Sequence, residues 1–152
     1  MSDPISFESA SPRFALPLLF AGQAQKEAFV NEALSLVDGL LHCAVEGEAA
    51  GSPSSPIDGT AWLITASAGG VWAGREGQLA LRQAGQWLFV EPREGMRIMN
   101  KATGQDLRVA GGSWTGATAP APATGGSVVD AEARAMLAGL IAALRQTGVF
   151  SA

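Results

Sequence analysis

Apolar residues in this chain recur with one period before residue 46 and with another after residue 60. Between residues 23 and 45 they return at steps of three and four, which places side chains on one face of an α-helix. The apolar face carries Phe29, Ala33, Leu36, Val37, Leu40, Leu41 and Ala44, and the opposite stripe carries Glu27, Asn31, Ser35, Asp38 and His42. This pattern predicts an amphipathic helix, in which Gly39 is expected to cost about 1 kcal/mol relative to Ala.

From Ala61 to Trp114, short runs rich in Trp, Leu, Ile, Val and Phe alternate with glycine-containing breaks. Such runs favour β-strands. The runs are AWLITA, GVWAG, QLALR, QWLFVE, MRIMN, DLRVA and SWT, and the breaks include Gly69-Gly70, Glu76-Gly77, Ala84-Gly85 and Thr103-Gly104. Glycine at these breaks can supply the positive φ of hairpin turns. We therefore expect an antiparallel β-meander of about six strands and an α+β fold.

Composition divides the rest of the chain. Residues 1–21 contain three prolines and turn from polar to apolar, which suits an extended N-terminal arm ahead of a helix-plus-meander domain at 22–114. Residues 115–126 read TGATAPAPATGG, the composition of a flexible or semi-extended linker. A C-terminal helix is expected at 127–152.

The C-terminal helix has both a start and a stop signal. Ser127 followed by Asp130 is typical of a helix N-terminus, and Gly148 suits a left-handed C-terminal cap. An isolated helix of this length is marginally stable in water, so its apolar face needs a partner. That face carries Met136, Leu137, Leu140, Ile141 and Leu144, and the partner is either the meander or another copy of the chain.

Charge and hydropathy exclude two classes of partner. The formal net charge is −4, and the basic residues are scattered singly except for Arg93 and Arg97, which have a carboxylate between them. Nucleic acids and anionic membrane surfaces need clusters of Lys and Arg. The apolar stretch 14–20 is too short to span a bilayer and is broken by Pro17. We expect no nucleic-acid partner and no membrane insertion.

The residues that catalysis and metal binding require are scarce. The chain has one His, one Cys and no Tyr. A catalytic triad would have to use His42, which the pattern places in the first helix beside Cys43. A cysteine in such a position ordinarily packs as a small, unreactive apolar residue. No spacing fits a zinc or calcium site. We therefore expect no enzyme activity, no metal and no cofactor.

The single cysteine rules out an intrachain disulfide, and the N-terminus does not have the pattern of a signal peptide. Both features suit folding in the bacterial cytoplasm.

Tryptophans interleaved with arginines give the predicted meander some potential for binding. Exposed Trp stacks on sugars, and Arg adds planar polar contacts. The candidate glycan contacts are Trp72, Trp87, Trp114, Arg75 and Arg93, and we expect Trp72 and Trp114 to be partly exposed. The alternative is that the tryptophans form the core of the sheet.

The stretch FALPLLFAGQAQKEAFVNEALSLVDGLLHCAV, residues 14–45, closely resembles the opening of a family of phage, prophage and gene-transfer-agent proteins known only as a domain of unknown function. Members typically read LPL, an AGQAQKE-like core, NEAL and a Leu/Asp-rich helix, then a Pro-rich loop, a G-x-x-W/Y-I strand and a glycine-punctuated meander. The resemblance covers about residues 14–100. The matching segments are Leu16–Leu18, Ala21–Glu27, Asn31–Leu34, Gly59–Ile64, Trp72–Gly74 and Gly85–Trp87.

The resemblance implies a virion component of tail fibres or of gene-transfer-agent head spikes, with no accepted catalytic residues. The C-terminal stretch VVDAEARAMLAGLIAALRQTGVF also resembles a closing helix of phage fibre proteins. Some longer members carry receptor-binding or hydrolytic domains, and this chain carries none, which favours a short base or adaptor. We expect the protein to leave the cytoplasm as part of the virion.

The leading hypothesis is a structural assembly protein that attaches a fibre or spike to the particle and supports host adhesion. Its expected partners are capsid, tail or fibre subunits and copies of itself, arranged as a trimer or around a fivefold vertex. The alternative is a carbohydrate-binding module that contacts host surface polysaccharide. The candidate attachment and oligomerisation residues are Phe14, Leu16, Leu18, Leu19, Gln23, Gln25, Lys26, Leu137, Leu140, Ile141 and Leu144.

The polar residues Gln23, Gln25 and Lys26 lie behind the apolar arm, at the expected start of the first helix. They suit hydrogen bonds to the backbone of another chain better than packing in a core. Simple solvation of a helix end is the alternative.

Overall fold

The computed structural model describes residues 11–13, 18–19, 26–126 and 130–152. This part of the chain contains two helices and eight strands, which confirms the α+β class. In chain order the elements are α1 (Lys26–Leu40), β1 (Ala44–Val45), β2 (Glu48–Ala49), β3 (Ala61–Ile64), a 3₁₀ helix (Gly70–Trp72), β4 (Leu79–Gln83), β5 (Gln86–Val90), β6 (Arg97–Asn100), β7 (Gln105–Ala110), β8 (Ser113–Thr115) and α2 (Ala131–Gln146). Strands β3 to β8 correspond to six of the seven runs from which the sequence predicts about six strands.

The strands form two four-stranded sheets rather than one continuous meander. Sheet I has the order β2-β3-β4-β5 and sheet II the order β1-β6-β7-β8. The meander divides between β5 and β6, where Pro92 has no N–H to donate to a ladder. Within each sheet the three longer strands pair antiparallel, and the two-residue strands β1 and β2 add parallel edges.

The segment 43–49 ties the two sheets together. On one side, the N–H groups of Met99 and Lys101 donate to the carbonyls of Cys43 and Val45, at 3.0 and 2.9 Å. On the other side, the Leu63 N–H donates to the carbonyl of Gly47 at 3.0 Å. This segment hydrogen-bonds to the backbone of both sheets, so it forms a shared edge that supplies the edge strand of each sheet.

The first helix ends at Leu40 rather than at residue 45. His42 has a φ of +47°, outside the right-handed helical region, and the chain enters β1 two residues later. The expectation that His42 and Cys43 lie within the helix is therefore wrong.

The main core lies between the two sheets, with α1 packed beside it. Alternate residues of the strands point into it, as the two-residue period of a strand requires. The buried members of this cluster are Cys43, Val45, Ala61, Leu63, Leu79, Leu81, Ile98 and Leu107.

A smaller cluster covers the opposite face of sheet I. Its buried members are Ile64, Trp72 and Ala80. The predicted strand GVWAG is a 3₁₀ helix instead, closed by a 3.2 Å hydrogen bond from the Trp72 N–H to the Gly69 carbonyl. The 3₁₀ helix covers this face of the sheet with the indole of Trp72.

The predicted Gly148 cap of α2 is confirmed, and Asp130 of the predicted start signal caps the helix, whereas Ser127 lies outside the described residues. The carboxylate of Asp130 accepts a 2.8 Å hydrogen bond from the N–H of Ala133, which caps the helix N-terminus. At the other end Gly148 has a φ of +76°, and the N–H groups of Gly148 and Val149 donate to the carbonyls of Arg145 and Leu144. These two bonds form a Schellman motif.

Candidate assembly interface

The side of α1 that packs inward carries polar residues, while Leu36 and Leu40 from its apolar face also contact the main core. Asn31, Ser35 and Asp38 are all buried, and Asp38 is 0% exposed. They lie at steps of three and four along the helix, so they form one stripe. A buried polar stripe needs hydrogen-bond partners, because an unpaired buried polar group is costly.

Asp38 finds several donors in distant parts of the chain. Its carboxylate accepts hydrogen bonds from the Ser11 hydroxyl at 2.7 Å, from the Arg13 N–H at 3.1 Å and from the Gln83 side-chain amide at 3.3 Å. Ser11 and Gln83 are themselves buried. One carboxylate therefore joins the N-terminal segment, α1 and strand β4.

Arg13 closes the C-terminal end of the same helix. Its guanidinium donates to the carbonyls of Asp38 and Gly39 at 2.9 Å, and to those of Leu41 and His42 at 3.3 and 3.1 Å. The last carbonyls of a helix have no intrahelical donors and carry partial negative charge. Arg13 thus supplies the donors at the point where α1 ends.

Asn31 holds a second point of the N-terminal segment against α1. Its side-chain amide donates to the Leu19 carbonyl and its side-chain oxygen accepts from the Leu19 N–H, both at 2.8 Å. The neighbouring Leu18 is buried. Of the candidate attachment residues in this segment, Leu18 is therefore covered by its own chain, whereas Leu19 is exposed.

The opposite face of α1 presents an apolar stripe to solvent. Phe29 is 78% exposed and Val37 is 50% exposed, and Ala33 between them is exposed as well. Leu41, just beyond the helix, continues the row, and Val30 borders it. These positions follow one another at four-residue steps and so share one side of the helix.

Helix α2 has no buried residue. Met136 is 67% exposed and Leu140 is 53% exposed, with Leu137 also exposed and Ile141 and Leu144 partly covered. The inner side of the helix and the linker residues 120–123 border a groove of about 530 Å³. The linker therefore covers only part of the apolar face of α2.

The end of α2 is fixed to sheet II, although its apolar face is largely open. The N–H of Asp106 donates to the Gly148 carbonyl at 2.7 Å, and the N–H of Ala152 donates to the Thr103 carbonyl at 3.0 Å. Ala117 and Phe150 form a parallel bridge. The tail 148–152 thus fixes the C-terminal end of α2 to the body of the domain.

Other predicted attachment residues fall partly outside the described chain. Phe14, Leu16, Gln23 and Gln25 lie outside the residues that the structure describes, and Lys26 is the first residue of α1. The described part of the candidate interface therefore consists of Leu19, the stripe on α1 and the face of α2. Sequence periodicity identified the residues of the α1 stripe, but it carried no signal that they face solvent.

The candidate glycan contacts do not form an open stacking surface. Trp72 is 0% exposed, so the expectation that it is partly exposed is wrong. Its ring meets that of Trp87 edge-on, with centroids 5.1 Å apart. The guanidinium of Arg82 lies 5.3 Å from the Trp87 ring, and that of Arg75 lies 4.8 Å from the ring of Phe89. Arginines therefore already cover aromatic faces on which a sugar would stack.

The remaining glycan candidates lie elsewhere. Trp114 is partly exposed, as expected, but it packs against the main core, and its indole N–H donates to the Gly77 carbonyl at 2.9 Å. Arg93 is exposed in the turn before β6. The structure thus brings Trp72, Trp87 and Arg75 together and leaves Trp114 and Arg93 out of that group.

The groups with the greatest catalytic potential are not assembled into a site. Cys43 is buried in the main core, and burial raises the pKa of its thiol despite the opposing effect of Arg13. The described residues contain no group of three His, Cys, Asp or Glu side chains that could hold a metal ion. Over the same residues, no helix has the length and apolar character needed to cross a membrane.

A family model of proteins of unknown function, DUF2793, matches residues 30–115, more than half of the chain. The chain belongs to the DUF2793 family. The matched region begins within α1 and ends with β8, so it contains both sheets and the shared edge between them. Helix α2, whose C-terminal end is fixed to sheet II, follows the matched region. Comparison with curated proteins gives no match.

Proposed function

We propose that this DUF2793 protein is a structural component of a phage or gene-transfer-agent particle, a base or adaptor for a head spike or tail fibre. In this role the two-sheet body holds two helices whose apolar faces bind neighbouring subunits. The observation that carries the proposal is the orientation of α1, which buries Asn31 and Asp38 and leaves Phe29 and Val37 exposed.

An exposed apolar stripe of this kind is unfavourable in an isolated subunit. Full burial of one Val, Leu, Met or Phe side chain stabilises by about 1.5–3 kcal/mol. Several such side chains on each helix therefore offer enough free energy to hold subunits together, and contiguous exposed apolar patches are typical of protein interfaces. The virion setting of the proposal rests on the resemblance of residues 14–45 to phage and gene-transfer-agent proteins.

Attachment and self-association use different helices in this proposal. The stripe on α1, together with the N-terminal arm, faces a capsid, tail or fibre subunit. The apolar face of α2 packs against other copies of the chain, and small residues such as Gly139 and Ala142 allow close approach of helices. The protein is made in the bacterial cytoplasm and then becomes part of the particle.

Paired variants test the two faces separately. Phe29→Ser/Val37→Ser should abolish incorporation into particles, and Leu137→Lys/Leu140→Lys should dissociate the homo-oligomer in light scattering at tens of micromolar. Both variants should keep the native circular dichroism and Trp fluorescence because the altered residues are exposed. Ile57→Ser is the matched control, since Ile57 is also highly exposed but lies in the loop before β3.

The outcomes separate the proposal from a purely internal role of the helices. A monomeric wild-type chain, or a Leu137→Lys/Leu140→Lys variant that loses the native Trp fluorescence, would contradict self-association through α2. Normal particles from a strain that lacks the gene would contradict the structural role altogether.

A further inference from the structure

Two arginines face each other across neighbouring strands of sheet II. Arg97 on β6 pairs in register with Arg108 on β7, and Arg108 pairs with Thr115 on β8. The N–H of Val109 donates to the Met96 carbonyl at 2.9 Å, one step beyond the arginine pair. This pattern makes Arg97 and Arg108 a non-hydrogen-bonded pair, in which the Cα atoms lie about 4.5 Å apart and the side chains are closest.

Neither arginine is neutralised within the described chain. The ion pairs found there join Arg82 to Asp58 and Lys101 to Glu46. Asp106 shares the outer face of β7 with Arg108 but makes no ion pair with either arginine. Like charges placed directly opposite each other destabilise a sheet. A bound anion would turn this repulsion into attraction.

The arginine pair opens into a cavity of about 370 Å³. Arg97, Arg108 and Thr115 line it across three strands, Asp106 lies beside them, and Ala117 and Val149 provide apolar contacts. A volume of this size lies at the lower end of the range for small-molecule sites. It suits a ligand of roughly one sugar ring.

One wall of the cavity is held in place by a buried side chain. The amide of Gln105 donates to the carbonyls of Ala117 at 2.6 Å and Val149 at 3.0 Å. The Asp106 N–H adds its bond to the Gly148 carbonyl. The tail after α2 and the segment after β8 are therefore fixed to the sheet on either side of Gln105, so the wall is formed before any ligand binds.

We propose that this cavity binds a small ligand that carries one carboxylate and several hydroxyl groups, the chemistry of an acidic sugar. Guanidinium groups bind carboxylates through paired, charge-assisted hydrogen bonds. The carboxylate of Asp106 accepts from ligand hydroxyls, and the Thr115 hydroxyl, which donates to the Arg108 carbonyl at 3.2 Å, accepts from another ligand hydroxyl. With two arginines and one aspartate, the site carries one net positive charge, which matches a single carboxylate rather than a polyphosphate.

Titration of the full chain with glucuronate, followed by amide chemical shifts, tests the proposal. Saturable shifts should centre on Arg97, Arg108 and Thr115. Arg97→Gln and Arg108→Gln should each weaken binding about tenfold or more, because each removes a charge-assisted contact. Neither substitution should lower the melting temperature, since each relieves the repulsion within the pair. Arg75→Gln is the matched control, because Arg75 lies over Phe89 against sheet I.

Two further probes separate charge from shape. Glucose, which lacks the carboxylate, should give no saturable shift at these amides, and inorganic phosphate should bind more weakly than glucuronate. Equal binding of glucose and glucuronate would overturn the role of the arginines, and equal binding of phosphate would overturn the assignment to an acidic sugar. Absence of any saturable shift with glucuronate, or unchanged affinity in both glutamine variants, would also overturn the proposal.

Discussion

Replacement of Asp38 by alanine should destabilise the fold strongly, because this carboxylate joins three separate parts of the chain. The variant leaves the Gln83 amide and the Arg13 N–H without the acceptor that they use now. The Ser11 hydroxyl loses its 2.7 Å bond to the same group. The Arg13 bonds to the helix carbonyls are made to the backbone and do not require the Asp38 side chain.

The size of the effect follows from the donors that remain. Loss of a buried hydrogen bond that leaves its donor unsatisfied costs about 1–3 kcal/mol, so the bonds from the Gln83 amide and the Ser11 hydroxyl together give about 2–6 kcal/mol, to which the part-buried Arg13 N–H adds less. Removal of the carboxylate also relieves its own desolvation cost, which favours the lower half of that range. We therefore expect a loss of about 2–4 kcal/mol, a large part of the stability of a small domain.

Urea unfolding followed by Trp fluorescence at one fixed protein concentration measures this loss. Glu94→Ala is the matched control, since it removes an exposed carboxylate in the turn before β6 and should change stability by less than about 0.5 kcal/mol. In a double-mutant cycle, Asp38→Ala and Gln83→Ala should couple by about 1 kcal/mol. A loss below about 1 kcal/mol for Asp38→Ala, or strict additivity with Gln83→Ala, would refute the role assigned to the buried carboxylate.

Three other substitutions test the packing of α1, of α2 and of the segment that follows α1. In Gly39→Ala the added methyl group would meet Leu81 Cδ1, so the free energy of unfolding from urea titration should fall by about 1–3 kcal/mol. In Gly139→Ala on α2 the added methyl group meets nothing within 4 Å, so the free energy of unfolding should rise. For Cys43 the folded state favours the neutral thiol, so stability should be full below the usual pKa of 9.0 and should fall as the pH rises above it. Unfolding measured across that pH range should show a smaller fall in Cys43→Ala; an equal fall in both proteins would contradict this reasoning.

Local signals in the sequence predicted the turns and caps well. Ala84 and Gly85 have φ values of +47° and +73°, as the hairpin between β4 and β5 requires, and Gly148 caps α2. These features depend on the conformational range of one or two residues, so the sequence contains the needed information. The longer strands β3 to β8 were predictable for a similar reason, because their composition favours extended backbone.

Features that depend on long-range pairing were missed. The strands β1 and β2 are two residues long, too short to show a period, and they form only because β6 and β3 offer free edges. The run around Trp72 has the composition of a strand, but it forms a 3₁₀ helix that places the indole against sheet I. Burial of this indole depends on the sheet, which the local sequence does not show. The arginine pair in sheet II was also missed, since Arg97 and Arg108 become neighbours only through strand register.

The orientation of α1 shows what helical periodicity can and cannot determine. The pattern separates an apolar face from a polar face, and for a helix on a globular core the apolar face normally packs inward. Here Ser11, Arg13 and Leu19 supply polar partners for the polar face, so Asn31 and Asp38 can be buried at acceptable cost. Phe29 and Val37 stay exposed in the described part of the chain, and in the proposed assembly a neighbouring subunit buries them.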